Sequence, residues 1–177
     1  GSLIVTALVI YFTQFLPFNY TVNSSLYAGI TNSTNLDGTE LLNINSTFDN
    51  IINIAKSKST LEKVSIRLLA TNLVHGDEWK DNMYIQAKHY RQLVQATPKE
   101  VLALVDRSSV DKTTENLTKY RKESGQNYIY AIFSRPTAYY SYAALNTIDV
   151  KRLGTSDLIE INYTTTDPGI AQNTVKI

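Results

Sequence analysis

Residues 149–172 read DVKRLGTSDLIEINYTTTDPGIAQ, and their pattern decides the architecture. Ile148 and Val150 face one way with Asp149 and Lys151 opposite, and Gly154-Thr155-Ser156 supplies a turn. Ile159, Ile161 and Tyr163 then alternate with Glu160, Asn162 and Thr164, so a second strand has one apolar and one polar face. Asp167-Pro168 reads as a helix N-cap followed by proline at the first helical position. The stretch is therefore a hairpin leading into a helix. The helix has barely two turns before Ile177, so a helix cut short is expected.

The other end of the chain carries a matching strand. Residues 19–30 read NYTVNSSLYAGI, with Tyr20, Val22, Ser24 and Leu26 alternating with polar Thr21, Asn23 and Ser25. Ahead of it stands LIVTALVIYFTQFLPF, residues 3–18, strongly apolar but shorter than the roughly 20 residues a spanning helix needs. A buried core helix or a signal remnant would have this composition. The favoured reading is the outer part of a transmembrane helix, with Tyr11, Phe12, Phe15, Pro17 and Phe18 at the interface where aromatics collect. Gly1-Ser2 reads as an expression scar. Residues 19–177 are then one extramembrane domain.

Between the strands the signals are helical. Residues 31–45, TNSTNLDGTELLNIN, read as a polar loop, after which Ser46 can cap a helix bearing Phe48, Ile51, Ile52 and Ala55. Ser59 with Glu62 forms a capping box before Leu61, Val64, Leu68 and Leu69. A third helix should carry Met83, Ala87, Tyr90 and Val94 on one face, and Thr97-Pro98-Lys99-Glu100 should start a short one. A polar helix is expected over residues 110–122 and another over 138–145, while 128–133 fits helix or strand. The fold class expected is α/β (α+β), a small mixed sheet of strands near 20–29, 147–153 and 158–164 covered by several helices.

Composition bounds the function. The chain has 177 residues, 43% apolar and 19% charged, which is one domain's worth of ordinary globular sequence. A net charge of +1 and the lack of a Lys/Arg stripe argue against nucleic acid as a partner. With no cysteine there is no thiolate nucleophile, disulfide or Cys-based metal site. His75 lies close to Asp77, Glu78 and Asp81, but the histidines at 75 and 89 share no ligand spacing, so no metal and no cofactor is expected. GxSxG, HExxH and P-loop patterns are missing, and catalysis finds no support. Asn-x-Ser/Thr triplets at Asn19, Asn23, Asn32, Asn45, Asn116 and Asn162 would fit a secreted glycoprotein, yet an Asn- and Thr-rich composition generates such triplets by chance.

Three segments together resemble a known family. YTVNSSLYAGI after an apolar run is similar to the opening of the chain-length determinant (Wzz-type) domain of bacterial polysaccharide co-polymerases. TFDNIINIAKSKSTLEKVSIRLL, residues 47–69, resembles the helical region that follows in the exopolysaccharide-transport branch. VKRLGTSDLIEINYTTTDPGIAQNT, residues 150–174, resembles that branch's return hairpin and the start of its long helix. Residues 75–146 match weakly.

The resemblance implies a periplasmic domain between two inner-membrane helices, with a long helical arm beyond the base. It implies self-assembly into rings and work alongside a polysaccharide polymerase or export machinery, with the polysaccharide itself a further contact, and no glycosyl transfer by this domain. Some members of the family add a cytoplasmic tyrosine-kinase domain. The residues singled out are Arg152, Ser156 and Asp157, which either fix the hairpin turn (the favoured reading) or touch a neighbouring subunit, together with the Asp167-Pro168 cap. Two other readings compete: a ligand-sensing ectodomain of a membrane receptor, and, further behind, a glycan-processing enzyme built on two carboxylates in a cleft.

Overall fold

The computed structural model describes residues 2–13, 18–29 and 38–177. At its centre is strand β3 (Leu158–Thr165), flanked by β1 (Tyr20–Tyr27) on one side and β2 (Asp149–Arg152) on the other. Tyr20 lies opposite Thr165 and Tyr27 opposite Leu158, while Asp149 faces Asn162 and Arg152 faces Ile159. Both pairings are antiparallel, so the sheet expected to be mixed is antiparallel among the described residues. Gly154 makes the hairpin possible, holding a φ of +57° that an L side chain rarely adopts.

Period-two alternation sorts the sheet as the pattern requires. Ile148, Val150, Ile159 and Tyr163 are buried against Phe48, Leu61, Phe133 and Leu145. On the opposite face Lys151 Nζ bridges Glu160 at 3.0 Å and Asp149 at 3.6 Å, and Thr21 and Thr164 share a hydroxyl hydrogen bond of 2.8 Å. The ammonium of Lys151, hydrogen-bonded to Glu160, holds that carboxyl below its usual range. Because β1 is an edge strand its pattern is looser: Val22 and Ser24 are half-buried, but Tyr20 and Leu26 are exposed.

The helices are α1 (Ser2–Thr13), α2 (Gly38–Ala55), α3 (Lys58–His75), α4 (Ala87–Ala96), α5 (Lys99–Leu102), α6 (Val110–Glu123), α7 (Tyr128–Ser134), α8 (Tyr142–Leu145) and α9 (Pro168–Lys176). Helix α3 is the spine. Its residues 68–74 are all buried, and they pack with Ile85, Leu93, Val101, Leu117, Ile129 and Tyr140 into a helical core. Over that stretch the helix is enclosed on every side, polar Thr71 and Asn72 included. At its start Leu61 belongs instead to the core beneath the sheet, so α3 joins the two. Helix α9 joins them again, with Ile170 in the helical core and Ala171 in the sheet core.

Several expected boundaries move. Helix α2 begins at Gly38 rather than at Ser46, so residues 38–45 of the expected loop are helical, and residues 31–37 lie outside the described residues. Ile44, buried four positions before Phe48, extends the apolar stripe one turn backwards. The cap of α3 is Ser57, whose Oγ accepts from Thr60 N at 3.2 Å, and not Ser59. Only Lys56 and Ser57 separate α2 from α3, so the earlier serine takes the cap.

Met83 falls outside α4 and is 59% exposed, because Asn82 Oδ1 accepts from the backbone of Tyr84 and Ile85 and holds a turn there. Thr97 donates its hydroxyl to Leu93 O at 2.7 Å, closing α4 rather than capping α5. Residues 128–133 are helical, and the helix expected over 138–145 shrinks to α8, capped by Ser141.

Of the residues assigned to an interface, Tyr11 and Phe18 are exposed, while Phe15 and Pro17 lie outside the described residues. No helix among the described residues is long and apolar enough to cross a membrane.

Gly169 is the tightest point between α9 and the rest. A Cβ there would stand 2.5 Å from the carbonyl carbon of Tyr84 and 2.8 Å from the amide nitrogen of Ile85, both backbone atoms that cannot swing aside. Gly169→Ala should therefore cost roughly 1–3 kcal/mol, typical of overpacking. Urea unfolding should show a lower midpoint at unchanged slope; an unaltered midpoint would contradict this packing.

Candidate functional site

The hairpin turn is organised by Arg152. Its Nε donates to Ser156 O at 2.7 Å, Nη2 to Thr155 O at 2.8 Å and Nη1 to Asn45 Oδ1 at 2.8 Å. The guanidinium also lies 3.9 Å from the ring centroid of Phe48. One planar fork therefore holds the turn and ties it to α2, a geometry a lysine ammonium could not reproduce. Ser156 Oγ donates to Leu153 O at 2.6 Å. Asp157 is buried, and its carbonyl accepts from Ala28 N at 2.8 Å, locking the far end of β1 to the turn. Arg152, Ser156 and Asp157 thus meet in one turn.

Asp167 and Pro168 lie at the opposite end of β3 and take no part in that cluster. Asp167 is fully buried and uses both carboxylate oxygens. Oδ1 accepts from the backbone of Gly169 at 2.9 Å and Ile170 at 3.1 Å, the N-cap bonds that the Asp-Pro pair leads one to expect. Oδ2 accepts from Gln86 N at 2.9 Å and meets His89 Nδ1 at 2.7 Å. The second pair of contacts reaches 81 and 78 residues back along the chain. Local spacing carries no signal for them.

His89 opens onto a cleft of about 350 Å³ between α4, α7 and residues 137–140. Leu93 and Ile132 contribute its apolar wall, with Tyr128, Tyr139 and Tyr140 supplying aromatic surface and Gln92 and Arg135 standing at its exposed side. The tyrosine hydroxyls are bonded internally: Tyr128 to Thr97 Oγ1 at 3.2 Å, Tyr139 to Thr166 Oγ1 at 2.9 Å, and Tyr140 to Asn72 Nδ2 at 2.8 Å. Burial pushes the pKa of all three phenols up, most strongly that of Tyr140, so they remain neutral. Sequence reasoning missed this cleft. Its residues come from three segments with no shared periodicity, and the count of twelve tyrosines was the only hint.

The acidic cluster beside His75 resolves into turn chemistry. Asp77 Oδ1 accepts from Trp79 N and Lys80 N, bonds that hold its carboxyl below the usual range. Asp81 Oδ1 accepts from Ala87 N at 2.8 Å and starts α4. His75 stacks on Tyr84 with ring centroids 4.1 Å apart. Among the described residues no group of three acidic or histidine side chains is placed to hold a metal ion.

Compared with described protein families, with curated proteins and with solved structures, the chain matches none of them.

Asp167→Ala would leave three backbone amides and His89 without their acceptor in a buried place, and should cost about 3–5 kcal/mol. Asp167→Asn keeps an oxygen for the α9 amides and should cost roughly 1–3 kcal/mol. Denaturant titration of the two variants should give that order; near-wild-type stability for Asp167→Ala would contradict the network.

Proposed function

We propose that this chain is the periplasmic base domain of a bacterial inner-membrane polysaccharide co-polymerase. In this reading it is a non-enzymatic assembly unit, acting as a ring of like subunits beside a polymerase or export machinery. It governs the chain length of a surface or capsular polysaccharide, or couples its synthesis to export. Flanking helices hold it to the membrane.

The reading is supported by the register of β1 on β3. Tyr20 sits opposite Thr165, so the chain coming from apolar α1 and the chain about to enter α9 meet at one end of the sheet. Helix α9 then packs back against β1 and β3. A domain tethered through α1 would thereby send α9 away from its tether, the geometry required of a base that raises a helical arm. The likeness of residues 20–30, 47–69 and 150–174 to the family supports the same reading from sequence. The cleft beside His89 is the observation that favours the alternative, a ligand-sensing ectodomain.

The two part company in the polymer. Deleting the gene should collapse surface polysaccharide from a defined modal length to short or random chains, with rescue on restoration. An unchanged size ladder would contradict chain-length control and favour the sensory reading.

A further inference from the structure

We propose that the cleft between α4, α7 and residues 137–140 binds a carboxylate-bearing sugar ring, a uronic acid unit. Three observations point to a ring that carries a negative charge. First, the tyrosine hydroxyls are occupied within the protein and the phenols are neutral, so Tyr128 and Tyr139 offer ring surface and not polar handles. An aromatic wall of this kind suits the apolar face of a ring. Second, none of the described lining residues is a carboxylate, while Arg135 is exposed and has no ion-pair partner among the described residues. A guanidinium free in this way is suited to a bidentate carboxylate.

Third, the imidazole of His89 is not free to rotate. Its Nδ1 is held at 2.7 Å by buried Asp167, which leaves Nε2 as the ring's remaining polar atom at the cleft. Gln92 adds an amide able both to donate and to accept, as hydroxyl recognition needs. A pre-set imidazole, an amide and a guanidinium around an aromatic wall match a ring that carries hydroxyls and one negative charge. The volume of about 350 Å³ is near the lower end for ligand sites, so it suits one or two rings and not a long stretch of polymer. The choice of a sugar over another ring acid rests on the proposed function.

The test is titration of the folded chain, by calorimetry and by shifts of the Arg135 side-chain NMR signal, with three probes: a diuronic acid, the neutral disaccharide of the same linkage, and benzoate. The diuronic acid should bind about tenfold or more tighter than the neutral disaccharide, a difference of about 1.4 kcal/mol. Arg135→Gln should remove that preference. Arg135 is exposed, so the variant should fold, and circular dichroism will verify it.

Lys63→Gln, in a separate groove between α3 and α6, should change nothing. Equal binding of the acidic and neutral sugars, or no binding of the diuronic acid at about 10 mM, would overturn the inference. Benzoate binding more tightly than the sugar acid would overturn the sugar assignment. None of these outcomes bears on the polymer ladder, so a failed titration beside a ladder that collapses on gene deletion overturns this site alone.

Discussion

The carboxylate of Asp167 is the constraint on which the rest of the structure depends. A buried carboxyl group is costly unless its oxygens find partners, and here three backbone N–H groups and the imidazole Nδ1 of His89 supply them. Two come from the first turn of α9, one from the backbone just before α4, and one from His89 within α4. A single side chain therefore sets where the last strand ends, how α9 leaves it, and where α4 lies. Immediately beyond, Ile170 enters the helical core and Ala171 the sheet core, so the same turn closes both. Gly169 lets that turn approach the backbone of Tyr84 and Ile85.

The opposite end of β3 is held by weaker means. Arg152 spans the hairpin turn, Asn45 and Phe48, but those hydrogen bonds lie at an exposed site where water competes for both partners. Phe48 is 1% exposed, and the guanidinium over its ring adds stacking to burial. The sheet thus has one end fixed by a buried carboxyl network and another by a surface clamp. That asymmetry places the firm end where β1 begins and α9 starts.

What was legible in the sequence is what is local. The hairpin, the turn at Gly154 and the Asp167-Pro168 cap all announce themselves within a few residues, through period-two alternation and cap chemistry. Helix boundaries were less legible because several residues can cap and packing chooses among them, as with Ser57 over Ser59. The start of α2 was hidden by polar neighbours around buried Ile44. His75, with acidic residues nearby, drew attention, whereas His89 is the histidine that meets a buried carboxylate, one 78 residues away. Such a pairing is a property of the fold.

Native-state hydrogen exchange tests the central claim most directly. If Asp167 ties both cores together, the amides of Gln86, Gly169 and Ile170 should exchange only with global unfolding, at the same free energy as the buried amides of α3. Fast exchange of those three amides while α3 stays protected would show that the junction opens on its own, and would contradict the account.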